Sequence, residues 1–131
     1  MRIKTLTCLL ALTLIAAPIS ALAISSTAAT TEARGFIHAV ATGDFTSPQK
    51  KFTRKMQQAV PPKKLKMVWD SVTGRFGKLK SVGKSQVMPY KAYKIVFVKT
   101  EFTRKSVVLK VAINSAGKIA GFFIVPPSRQ H

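Results

Sequence analysis

The chain has 131 residues, with 22 lysines and arginines against four aspartates and glutamates, a net charge of +18, two histidines and a single cysteine. One cysteine excludes a disulfide framework, and so few histidines and acids argue against a metal centre. With 47% hydrophobic residues, the length fits one domain that buries its own core.

The opening residues, MRIKTLTCLLALTLIAAPISALA, have the form of a secretory leader. Arg2 and Lys4 precede an apolar run from Leu6 to Ala17, and Ala21-Leu22-Ala23 fits a small-x-small cleavage site. The run is interrupted by Thr7, Thr13 and Pro18 and falls short of the roughly 20 residues that span a bilayer, so no integral anchor is expected after cleavage. A signal peptide over 1–23 predicts a periplasmic or secreted protein. Cys8 leaves with the leader, which removes every thiol from the mature chain.

Residues 24–30 are mostly polar or small and are expected to form a loose arm ahead of a single domain over 31–127, with a flexible tail at 128–131. Ala33, Phe36, Ile37 and Val40 recur at the spacing of one helix face, with Thr30 or Thr31 as cap and Gly43 as terminator. His38 falls opposite that stripe, the position of a solvated side chain. A second helix is predicted over 47–60, with Ser47 as cap, Pro48 at the first helical position and Phe52, Met56 and Val60 buried. After Pro61 and Pro62, the residues Leu65, Val68, Trp69, Val72 and Phe76 share a narrow arc, and Gly77 ends the clearest amphipathic helix of the chain.

From Lys78 onward the apolar period becomes two, and KLKSVGKSQVM, YKAYKIVFVKTEF, KSVVLKVAIN and KIAGFFIVPP read as an antiparallel meander. Val107, Leu109, Val111 and Ile113 define one dry face of the third strand. The second strand is apolar on both faces, Ile95 and Phe97 against Val96 and Val98, so it is central or its outer face meets another surface. A Ser115-Ala116-Gly117 loop with a left-handed glycine pairs Asn114 with Lys118, which sets Val111 opposite Gly121 and Leu109 opposite Phe123. The hairpin around Thr103 to Lys105 admits two loop lengths. The whole predicts an α+β fold: N-terminal helices packed on one face of a curved antiparallel sheet of about four strands.

Catalytic constellations are sparse. His38 and His131 are far apart, TGRFGKL has the wrong spacing for a phosphate loop, and no cofactor is implied. Asp44, Asp70, Glu101, Tyr90 and Tyr93 could serve proton transfer only if a carboxylate were buried beside a phenol. Asp44 is expected at a turn, Asp70 on the solvated side near Lys66, and Glu101 beside a hairpin loop. Trp69, Tyr93, Ile95, Phe97, Val111, Gly121 and Phe123 are the candidates for an apolar pocket between helices and sheet. Lys50, Lys51, Arg54, Lys55, Lys94 and Lys110 are the candidates for contact with anionic envelope polymers.

FIHAVATGDF, PPKKLKMVWDSVTGRFGKL and NSAGKIAGFFIVPP together resemble a bacterial family of unknown function whose domain is similar to the nuclear-transport-factor-two-like, cystatin-like α+β roll, sometimes found in front of α/β-hydrolase domains. The resemblance spans Thr31 to Pro127 and implies a cone-like fold with a pocket between helices and a curved sheet. It carries no catalytic signature. The expectation is an exported noncatalytic binding or accessory module for a small apolar ligand or protein partner. The alternatives are a small proton-transfer enzyme and a cationic factor acting on anionic polymers. Val96, Val98 and Val108 as outer residues predict a sheet-to-sheet homodimer.

Overall fold

The computed structural model describes residues 24–125; the leader expected over 1–23 and the tail over 128–131 lie outside the described residues. Helix α1, Ser26–Ala41, begins where Ser25 is extended and its hydroxyl accepts from the Ala28 amide at 3.0 Å. The expected loose arm is therefore mostly helix, capped by Ser25 and not by Thr30 or Thr31. Ala29 and Ala33 are fully buried, so the small residues that looked like linker composition let α1 press against its neighbours. Gly43, at φ +89, closes the helix in the left-handed region, and the Asp44 amide returns to the Ala39 carbonyl at 2.8 Å. His38 is exposed, as its place opposite the stripe predicts.

The helix expected over 47–60 is two pieces. A 3-10 helix runs over Ser47–Lys51, and α2 covers Arg54–Ala59 with Thr53 as its cap, the hydroxyl accepting from Met56 at 3.1 Å. Between them Phe52 is extended and bridges Ile119, and the Thr53 amide donates to the Ile119 carbonyl at 3.0 Å. A backbone pairing with the last strand thus overrides the helical period while keeping Phe52 and Met56 buried.

Asp44, not Ser47, supplies the cap before the 3-10 helix, its Oδ1 accepting from the Thr46 and Ser47 amides at 3.2 and 3.0 Å. The Ser47 amide first, then the Ser47 hydroxyl, the Thr46 amide and the Lys50 charge, hold the Asp44 carboxyl below its ordinary value of 3.8. A depressed folded value means that this group stabilises the fold above about pH 4 and that the contribution fades as the pH falls through the folded value. Asp44→Asn should lower Tm at neutral pH, with the gap to the parent closing in acid. Thermal melts at pH 7 and in acid check this, and a gap that is constant with pH would refute it.

Helix α3, Pro62–Phe76, has Pro62 at its first position, and it buries Leu65, Trp69 and Val72. Gly77, at φ 89 and ψ −171, stops it. The hairpin around Thr103 to Lys105 then seals the helix end: Arg104 donates to the Gly74 and Arg75 carbonyls at 3.0 and 3.3 Å, and its amide reaches the Phe76 carbonyl at 2.8 Å. A cation on the last carbonyls complements the negative end of the helix dipole.

Strands β1 Leu79–Tyr90, β2 Tyr93–Phe102, β3 Ser106–Asn114 and β4 Ile119–Val125 form an antiparallel sheet in chain order, an α+β arrangement. The inner face carries Val96, Val98, Phe102, Val107, Leu109, Val111 and Ile113, all buried in one core with α1, α2 and α3. Trp69 lies 5.9 Å from Phe102 between ring centroids, and Phe36 meets Phe122 edge-on at 4.9 Å. Thr100, the buried polar residue of this face, donates its hydroxyl to the Val107 carbonyl at 2.8 Å.

Two sequence expectations about facing are corrected. On β2, Val96 and Val98 point inward and Ile95 and Phe97 point outward, since Val96 pairs with Val111 and Val98 with Leu109. On β4, the loop is as predicted: Gly117 has φ +81, the Asn114 amide donates to the Lys118 carbonyl at 2.9 Å, and Asn114 Oδ1 accepts from the Ala116 and Lys118 amides. Past the loop, however, Ile113 pairs with Ile119 and Ala112 with Gly121, so Ala120 is an extra residue. This bulge shifts the register by one, placing Val111 opposite Phe122 and Lys110 opposite Phe123.

Candidate binding site on the outer sheet face

The strand pairings build a continuous outer surface. Tyr90 opposes Tyr93, Met88 opposes Ile95 and Gln86 opposes Phe97. Ile95 in turn opposes Ala112, Phe97 opposes Lys110, and beyond them lie Gly121 and Phe123. Side chains alternate across a strand, so all of these lie on the face away from the helices. The β1–β2 turn brings Tyr90 and Tyr93 together through Lys91, which holds φ 55 and sets its ammonium 5.4 Å from the Tyr90 ring centroid.

Between these residues lies a trough of about 600 Å³. Its floor is small at Ala112 and Gly121, and its walls are Met88, Tyr93, Phe97 and Phe123. A β-carbon on residue 121 would sit 3.1 Å from Phe123 Cε2 and 3.2 Å from Cζ, so glycine is what lets the Phe123 ring fold back along its own strand. Lys110 occupies the centre, its ammonium 5.9 Å from the Phe97 centroid and 5.6 Å from that of Phe123. Neither ion pair among the described residues involves it. Met88, Tyr90 and Phe123 are 51%, 56% and 53% exposed, and large apolar side chains clustered this way on a surface mark an interaction face.

Of the seven residues expected to line a pocket, Tyr93, Ile95, Phe97, Gly121 and Phe123 are brought together here. Trp69 and Val111 are buried in the core on the other side of the sheet. The gathering is therefore on the opposite face from the one expected between helices and sheet, because β2 turns its odd-numbered residues outward and the Ala120 bulge carries Phe123 with them. The homodimer expectation changes its basis likewise: Val96 and Val98 are inside, and of its three residues only Val108 is outward. The sequence expectation left Met88 and Ala112 out of the site; the tyrosine pair flanking Lys91-Ala92 is the sequence feature that marks the end of β1 as part of it.

The six lysines and arginines expected to meet anionic polymers do not form one stripe. Lys50 and Lys51 lie on the 3-10 helix, where Lys51 pairs with Glu32 at 3.3 Å, and Arg54 and Lys55 are on α2. Lys94 is half-buried, opposite Ile113 on the inward-facing register, and Lys110 is in the trough. The four side-chain carboxylates are each paired: Asp70 to Lys66 at 2.8 Å, Glu101 to the Ser106 hydroxyl at 2.7 Å, Asp44 to its turn, and Glu32 across to Lys51 on the 3-10 helix. None of them lines the trough. No cluster of metal-ligating side chains occurs among the described residues, and no helix among them is long and apolar enough to cross a membrane.

Three helices on one face of a four-stranded meander, with an apolar outer trough around a lysine, define the class of domain. A family model described as a protein of unknown function (DUF3887) matches residues 33–122, from within α1 to within β4, and the chain belongs to that family. No curated protein and no solved structure matches it.

Proposed function

We propose that this protein is an exported noncatalytic binding module whose outer sheet face holds an apolar, aromatic anion. The carrying observation is the Lys110 ammonium set between the Phe97 and Phe123 rings. A cation held against aromatic faces in a partly dried trough attracts an anion more strongly than one in open water, and the ligand's rings cover Phe97, Tyr93 and Phe123. That each of the four side-chain carboxylates is held in a hydrogen bond or ion pair, and none lines the trough, supports binding over proton transfer. Export rests on the leader-like residues 1–23, and the periplasm or the exterior is the compartment it implies. The cationic excess of the whole chain adds a nonspecific, salt-sensitive attraction to anionic envelope material. Homodimerisation through the same apolar face would bring one Lys110-centred surface against another, which disfavours it relative to an anionic ligand.

The test uses anilinonaphthalene sulfonate, an aromatic anion whose emission rises in apolar sites. Saturable binding is expected, weakened about tenfold or more by Lys110→Glu and by Phe123→Ala, and retained in part at high salt. Binding unchanged in both variants would refute the reading, and complete loss at high salt would favour the polymer-binding alternative.

A further inference from the structure

The molecule has a second concavity, on the helical side of the sheet and independent of the outer trough. It is a cleft of about 590 Å³ between α3, the β2–β3 hairpin and the ends of β3 and β4. It arises because α3 is apolar over a wider arc than the sheet covers: Leu65, Trp69 and Val72 are buried, Val68 and Phe76 are half-buried, and Met67 remains 64% exposed. Val107 and Ile124 complete the opposite wall. These walls are mostly aliphatic, in contrast to the ring-lined trough on the other face.

Its charged residues are all cationic. Lys64 stands near the start of α3, whereas Arg75, in its last turn, and Lys105, in the β2–β3 hairpin, line the far end. Lys64 and Arg75 are eleven residues apart on one helix, so roughly 16 Å of apolar wall separates the two ends. Arg75 lies over the Phe76 ring at 5.7 Å, which holds its guanidinium near the cleft wall. The nearby carbonyls of Gly74 and Arg75 are already bonded by Arg104, so the negative end of the helix is offset where an anion would sit. No carboxylate lines the cleft.

We infer that this cleft binds a single-chain aliphatic carboxylate, its head paired with Arg75 and Lys105 and its acyl chain along Met67, Val68, Val107 and Ile124. Charge complementarity selects the head, and the aliphatic walls select the tail. Ser71 faces the middle of the chain's path.

Trp69 provides the reporter, as the only tryptophan of the chain. Its ring lies 5.9 Å from Phe102, itself 6.0 Å from Phe76 on the cleft wall. A stearate brominated in mid-chain, a short-range quencher, is titrated below its micellar concentration into the purified protein. The expected result is saturable quenching of Trp69 at one ligand per chain, reversed by unbrominated stearate. Arg75→Glu combined with Lys105→Glu should weaken it about tenfold or more, and Ser71→Phe, which fills the cleft from an exposed position, should abolish it. Both variants are checked for parental circular dichroism, and Lys110→Glu should leave the quenching intact. Quenching that ignores the cleft variants, that vanishes with Lys110→Glu, or that does not saturate would overturn the inference. Failure here leaves the dye titration at the outer face untouched, so the two sites are tested separately.

Discussion

Alanine at position 77 is expected to lower Tm by more than about 10 °C, the largest effect of any exchange this small in the chain. Gly77 sits at φ 89 and ψ −171, a combination essentially restricted to glycine, and a β-carbon there would overlap the Thr103 hydroxyl. Strain of this kind costs about 1–3 kcal/mol before any overlap is counted. The hairpin cannot retreat freely, because the Thr103 amide donates to the Lys78 carbonyl at 2.9 Å and Arg104 is bonded to the end of α3. Gly35→Ala is the control: it lies exposed within α1 with nothing within 4 Å of an added methyl, and should gain about 0.5–1 kcal/mol. Thermal melts of both variants measure the contrast, and equal effects would contradict it.

Trp69→Ala should cost about 3–5 kcal/mol, a large share of the 5–15 kcal/mol typical of a domain this size. Trp69 is 5% exposed and packed on Phe102 within the core cluster that also holds Leu65 and Val72, so truncation leaves a cavity there. Phe123→Ala, which removes an aromatic ring from the outer face, should stay within about 0.5 kcal/mol. Denaturant unfolding separates the two roles: one ring holds the fold, and the other serves the surface. Comparable losses would place Phe123 in the core and remove the basis of the trough.

That division was only half legible in the sequence. The stripe of α3 and the alternation of β3 were unambiguous, because each element has one apolar face: Val107, Leu109, Val111 and Ile113 are buried as predicted, and of the α3 stripe Leu65, Trp69 and Val72 are buried while Val68 and Phe76 are half-buried. Gly117 announced its own turn. The second strand is apolar on both faces, so the pattern contained no information about which of Ile95 and Val96 points inward. The bulge at Ala120 has no sequence signal either: an alanine fits a strand, a bulge or a turn, and one extra residue exchanges the faces of Phe122 and Phe123. The small residues of 24–30 suggest an arm, because small and polar composition alone carries no helical period; burial of Ala29 makes 26–30 part of α1. Individual pocket residues were therefore found, while their side of the sheet was not. The gap at Gly121 accommodates the Phe123 ring on the exposed face.

The most direct test of the outer face as the binding surface is a methyl-resolved NMR titration with anilinonaphthalene sulfonate. The account predicts shifts at Ile95, Ala112, Ala120 and Met88, with Leu109, Val111 and Ile113 on the inner face nearly unmoved. Shifts confined to Val68, Val72 and Ile124, or spread through the inner face, would contradict it.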